Sequence, residues 1–125
     1  MQSLVQDAVD EIKEQISNDA QSAVATAQLD LYRRLLDNVA RMSERLREPD
    51  SIFRDSLVDN LKELCELLPK LDLIGDQTLT DTLARVQGEL CKYAPETLRV
   101  NVSARTATQV RAEALENDLK MILGV

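Results

Sequence analysis

Four acidic residues near the N-terminus, Asp7, Asp10, Glu11 and Glu14, recur at i, i+3, i+4 and i+7. On a helix that spacing lines them along one face. Clustered carboxylates bind Ca²⁺ or Mg²⁺, but such sites also recruit loop carbonyls in tight geometry. Favourable placement near a helix N-terminus explains these acids without a ligand, so they read as a solvated face and no metal site is assigned. Arg34, Arg41 and Arg45 form a second charged set on one helical face, with Arg33 and Arg47 near by. A row of guanidinium groups can contact phosphates. Here Asp37, Glu44 and Glu48 are interleaved at spacings that allow intrahelical ion pairs. No aromatic residues are interspersed for base stacking. Ion pairing is the expectation for these arginines, and contact with a nucleic-acid backbone is the alternative.

The remaining chemistry is sparse. Histidine is absent, which removes the commonest general base near neutral pH, the Ser-His and Cys-His nucleophile pairs, and any His-containing zinc or di-iron site. Cys65 and Cys91 are 26 positions apart inside apolar helical patterns. That is no zinc spacing, and it suits reduced core thiols better than a disulfide framework. The 3 glycines are isolated from one another and cannot form a phosphate-cradling loop. Asn101-Val102-Ser103 matches a glycosylation sequon, which carries little weight in a cytosolic chain. No catalytic residue and no cofactor are assigned.

The elements that carry these residues follow from the whole chain. Its 125 residues fit one domain, 1–125. Apolar residues make up 44 % and charged residues 30 %, which excludes compositional disorder. Phe53, Tyr32 and Tyr93 are the only aromatics, so the core must be aliphatic. The scarcity of Gly and Pro, 3 of each, disfavours a turn-rich all-β fold. The net charge of −7 gives no long-range attraction to nucleic acid or an anionic membrane. No apolar run approaches the roughly 20 residues of a membrane span, and no signal segment opens the chain, so a cytoplasmic location is expected.

Residues 3–47 read as helix, with no Gly or Pro. Val5, Val9, Ile12 and Ile16 form one apolar stripe; Tyr32, Leu35, Val39, Met42 and Leu46 form a second. Between them lie the capping residues Ser17, Asn18 and Asp19, so the helix either breaks near Asn18 or continues with a phase shift. Pro49 ends this region, and Asp50 or Ser51 caps the next helix. Phe53, Leu57, Leu61, Leu64 and Leu68 form its face, widened by Val58, Cys65 and Leu67, with Pro69 as its stop. "KLDLIGD" is a linker turned by Gly75. Thr78 or Thr80 caps a third helix running to about Tyr93, with Leu79, Leu83, Val86 and Leu90 inward. Gly88 there suggests close approach of a neighbouring helix. "PETLR" is one helical turn. Ser103 caps a last helix with Ala112, Leu115, Leu119 and Ile122 as its stripe, flanked by Val110, Ala114 and Met121, and Gly124 ends it. The predicted fold is all-α, a helical bundle of four to five helices, with the N-terminal helix extended if it does not break.

Helix length is what raises a functional question. An unbroken helix of about 45 residues is roughly 68 Å long, against a radius of gyration near 14 Å for a compact chain of this size. If it breaks and folds back, Val5, Val9, Ile12 and Ile16 are core. If it projects, residues 1–24 form an interface segment, and the stripe packs against a copy of itself or another protein.

The run "SERLREPDSIFRDSLVDNLKELCELLPKLDLIGD", followed by "ELCKYAPETLR", resembles the C-terminal part of a bacterial domain family of unknown function found in phages, integrative elements and some chromosomes. The resemblance covers residues 43–100 best and 25–123 more loosely; "IFRDSLVDN" and "ETLR" are its most recognisable pieces. Members are longer, which implies a short relative, a fragment or an internally initiated product. Some sit near genes for ring-forming ATPases and von Willebrand A-type domains. The resemblance therefore implies a role in an assembly and assigns no catalytic residue. The expectation is a non-enzymatic protein-binding subunit of a larger complex in a phage, mobile-element or defence setting. The alternative is a small nucleoprotein subunit using Arg34, Arg41 and Arg45.

Overall fold

The computed structural model describes residues 2–48 and 53–125, so the boundary roles expected of Pro49, Asp50 and Ser51 lie outside the described residues. The described residues form an all-α fold without strands. The helices are α1 (Gln2–Arg47), α2 (Asp55–Leu71), α3 (Gln77–Arg85), α4 (Pro95–Val100) and α5 (Val102–Leu123), with a π-helical turn at Val86–Leu90 continuing α3.

The first helix does not break. It runs for 46 residues, about 69 Å at 1.5 Å per residue. Ser, Asn and Asp in a helix interior cost only tenths of a kcal/mol each, too little to end a helix by themselves. Asp19 does not turn back to cap the backbone; it accepts a hydrogen bond from Gln15 Nε2 at 3.1 Å. From Gln28 onward the helix enters the body. Leu31, Tyr32, Leu35, Val39, Met42 and Leu46 are buried there, packed chiefly against α5 and then α2.

In α2 the buried residues are Val58, Leu61, Cys65 and Leu68, with Phe53 buried just ahead of the helix. Leu57 and Leu64 pack at the margin, whereas Leu67 is 43 % exposed and does not widen the buried face. Pro69 does not stop the helix, which continues to Leu71. Proline removes one N–H and crowds the carbonyl four residues back, but so close to the end only one intrahelical bond is lost. The stop is Asp72, in an extended conformation. Its carboxylate accepts from the N–H groups of Ile74 and Asp76, and Gly75 supplies the positive φ of +64° that the turn needs.

The caps of α3 and α5 differ from expectation in one respect: each sits upstream of the residues expected. Asp76, not Thr78 or Thr80, accepts from Thr78 N and Leu79 N. Asn101, not Ser103, accepts from Ala104 N at 3.0 Å. Thr80 and Thr82 instead bond back to the carbonyls four residues before them. Gly88 falls in the π turn, closed by Cys91 N to Val86 O at 3.1 Å. No atom lies within 4 Å of where its Cβ would stand, so no helix approaches closely there. Leu79, Leu83, Val86 and Leu90 are buried as expected, as are Ala112, Leu115 and Leu119 of α5. Ile122, Val110 and Met121 lie on the surface, exposed by 38, 60 and 80 %. Gly124 closes α5 at φ +72°, with Val125 N bonded to Lys120 O and Gly124 N to Met121 O.

Candidate functional site

The first half of α1 is almost uncovered by the described residues; Ile74, from the turn after α2, borders an apolar concavity with Ser17, Ala20, Gln21, Val24 and Ala25. From Leu4 to Ala27 no side chain is buried, and only Val24 is half-buried. Val5, Val9, Ile12 and Ile16 are exposed by 66, 38, 59 and 63 %. The sequence places them on one face, and the structure keeps them there with no cover from the described residues.

The phase of that face matters. At about 100° per residue, the stripe Val5, Val9, Ile12, Ile16 continues through Ala20, Ala23 and Ala27, all within about 80° of one another. All three alanines are exposed. The inward residues Tyr32, Leu35, Val39, Met42 and Leu46 point about 120° away around the same helix. The phase shift expected as one alternative is therefore present, and it turns the N-terminal stripe away from the side on which the body packs. Asp7, Asp10, Glu11 and Glu14 lie nearly opposite the stripe by the same rotation. Gln6, Gln15, Lys13 and Asp19 flank it, so its margins carry one basic and one acidic group.

The root of the projecting segment is held by a polar cluster between α1 and the turn after α2. Gln28 Nε2 donates to Asp72 Oδ1 at 2.8 Å, and Tyr32 Oη donates to Asp76 Oδ2 at 2.5 Å. Burial and the Asp76 carboxylate both push the Tyr32 hydroxyl upward, so it stays a donor. Burial pulls Asp72 upward too. The hydrogen bonds from Gln28 and from the Ile74, Asp76 and Gly75 N–H groups outweigh it and hold the carboxyl below its ordinary value. Unfolded Asp72 therefore takes up a proton before folded Asp72 does as pH falls. Its stabilisation is full at neutral pH and is lost on acidification through and below the ordinary carboxylate range. Asp72→Asn should lower the melting temperature at pH 7, and the gap to wild type should close as pH falls below about 4. Thermal melts at a series of pH values check this; a gap that does not change with pH contradicts it.

The arginine set is placed differently from the stripe. Arg34, Arg41 and Arg45 do share one outward face of α1, but alongside the body. Arg34 pairs with Asp30 at 3.1 Å and Arg45 with Glu48 at 3.8 Å. Acids thus occupy the same face. Arg47 bridges to Glu113 and Glu116 of α5, Arg99 to Asp55, and Arg85 to Asp118. Arg105 was not singled out by sequence pattern, yet it closes the end of α1. Its Nη2 donates to Arg45 O and Glu48 O at 3.0 and 2.8 Å, and its Nε to Leu46 O at 3.3 Å.

The reactive groups are quiet. Cys65 is buried, donates weakly to Leu83 O at 3.8 Å, and is pushed up to about 11 by burial, with Cys91 and Glu66 adding to the rise. Cys91 is raised as well, by burial. Both thiols are protonated at neutral pH and are poor nucleophiles. Among the described residues no group of three or more His, Cys, Asp or Glu side chains is placed to hold a metal ion. A concavity beside the π turn is lined by Glu89, Lys92, Tyr93, Thr108 and Arg111. Its charges pair with each other and with their neighbours. Glu89 faces Arg85 and Arg111, and Lys92 lies 5.4 Å from the Tyr93 ring centre. No helix among the described residues is long and apolar enough to cross a membrane.

No protein-family model matches the chain, and no curated protein or solved structure matches it.

Proposed function

We propose that this chain is a non-enzymatic helical subunit that binds protein through its projecting N-terminal helix. The observation that carries the reading is the stripe Val5, Val9, Ile12, Ile16: four β-branched side chains exposed on a segment where the described residues do not bury them. A contiguous exposed apolar patch rimmed by polar residues is the usual mark of an interaction surface. Helix-on-helix packing is the mode that this spacing suits. The absence of histidine and of a phosphate loop, with two protonated thiols, supports the non-enzymatic part. The resemblance of residues 43–100 to a phage and mobile-element family supports a place in a larger assembly, and a cytoplasmic setting goes with it.

The double substitution Val9→Asp, Ile12→Asp tests the reading. The variant should keep its helical content while losing association, scored as complex mass in the presence of the native host's co-purifying protein or of excess chain. Added salt should weaken the wild-type association little, because the contact is apolar. An association that falls steeply with salt and survives the double substitution would point to backbone phosphates and Arg34, Arg41 and Arg45 instead.

A further inference from the structure

Resting on that reading, we infer that the occupant of the stripe is a second copy of this chain, lying antiparallel with the two-fold axis at Ile16. The exposed stripe Val5, Val9, Ile12, Ile16, Ala20, Ala23, Ala27 has spacings of 4, 3, 4, 4, 3 and 4. That series reads the same in either direction about Ile16. An antiparallel copy therefore presents its stripe in register, as a two-fold contact requires.

Side-chain size has the matching arrangement. The N-terminal half of the stripe is large and β-branched, and the C-terminal half is alanine. Antiparallel pairing sets Val5 against Ala27, Val9 against Ala23 and Ile12 against Ala20, with Ile16 meeting its own copy. Large side chains over small ones let two helices interdigitate at the 8–10 Å separation of packed helices. A parallel pair would set large against large at one end and alanine against alanine at the other, leaving the alanine end underfilled.

Charge and reach agree with this. Asp7, Asp10, Glu11 and Glu14 lie nearly opposite the stripe, so the acidic character of the segment is carried away from the seam. The flanking Gln6 and Gln15 are neutral, and Lys13 and Asp19 stand on opposite margins of the stripe, one charge to each. The paired length from Val5 to Ala27 is about 33 Å, which buries on the order of 1,000 Å² in total, the lower bound for a specific interface. The body buries its first α1 side chain at Gln28, one residue beyond the paired stretch, and reaches back along α1 through Ile74, which lies beside Ser17, Ala20, Gln21, Val24 and Ala25. It packs about 120° around the helix from the stripe, so each segment can lie along the other up to its root without meeting the partner's body.

Cysteine cross-linking reads the register. Ile16→Cys on the axis should form a covalent dimer on mild oxidation, at least about five-fold above the wild-type chain, because facing positions of a helix pair come within disulfide reach. Val5→Cys alone should not, since its copies lie about 33 Å apart, whereas Val5→Cys combined with Ala27→Cys should. The unmodified chain at high concentration should give twice its 14.0 kDa mass by light scattering. Cross-linking of Val5→Cys alone would overturn the antiparallel register. A wild-type chain that stays at monomer mass, with no Ile16→Cys dimer, would overturn self-association. In that case a Val9→Asp, Ile12→Asp variant that folds but loses a different protein keeps the interface reading, and one that unfolds removes both.

Discussion

Phe53→Ala is expected to destabilise the fold by about 3–5 kcal/mol, the range for truncating a fully buried phenylalanine. Phe53 heads the fully buried side chains and is the only phenylalanine in the chain. The core it belongs to is aliphatic apart from Tyr32 and the partly buried Tyr93. It also sits at a junction: its carbonyl accepts from Arg99 Nη1 at 2.8 Å, and the same nitrogen reaches Asp55 at 2.7 Å. The segment leading into α2 is thereby tied to α4. A loss of this size is a large part of the roughly 5–15 kcal/mol that holds a domain together. Thermal or urea denaturation should show a drop of about 10 °C or more. Phe53→Leu should recover most of it, because volume is nearly kept. A Phe53→Ala variant within about 0.5 kcal/mol of wild type would contradict the burial described for this residue.

Arg105→Ala should cost about 1–2 kcal/mol, less than a fully desolvated charged hydrogen bond because the site is only partly buried. The effect follows from helix ends. The last carbonyls of any helix lack intrahelical partners, and those of Arg45 and Leu46, with Glu48 beyond, are met by one guanidinium from α5. Removing it frays the end of α1 and loosens the start of α5 together. Amide exchange should rise at the end of α1 more than in its buried middle. Arg105→Lys should restore only part, since a point ammonium cannot fork onto three carbonyls. Equal recovery by lysine would show that charge alone, rather than the fork, carries the contact.

What the sequence could and could not disclose divides along a physical line. Periodic burial was legible: Tyr32 through Leu46, Leu79 through Leu90, and Ala112 through Leu119 all turn inward as their spacing requires. Boundaries were less so. Thr78, Thr80 and Ser103 are as good caps by type as the residues that act, and the choice is made by distant contacts. Asp76 is held by Tyr32 and by the Asp72 turn, 44 positions from Tyr32 in sequence. Pro69 was overruled because a proline one turn from a helix end sacrifices little. Gly88 pointed to a close helix crossing, but no helix approaches it and it sits in a π turn instead. The Gln28–Asp72 and Tyr32–Asp76 contacts at the root of the projecting segment, and the Arg105 fork, carry no local pattern at all. The stripe itself was legible, and only its environment was not. Four apolar residues at helical spacing look the same whether a neighbour covers them or not. The continuity of α1 through Asn18, which decides the matter, depends on propensity differences of tenths of a kcal/mol.

The central claim is that Val5, Val9, Ile12 and Ile16 form an interface and no part of the chain's own core. Equilibrium urea denaturation of the Val9→Asp, Ile12→Asp variant beside wild type tests it most directly. The measurement belongs at a dilution where wild type is monomeric, because self-association otherwise adds to apparent stability. The account predicts the two unfolding free energies to agree within about 0.5 kcal/mol, as for surface substitutions. Loss of several kcal/mol in the dilute variant, as burying two unpaired charges in a core would cause, would contradict it.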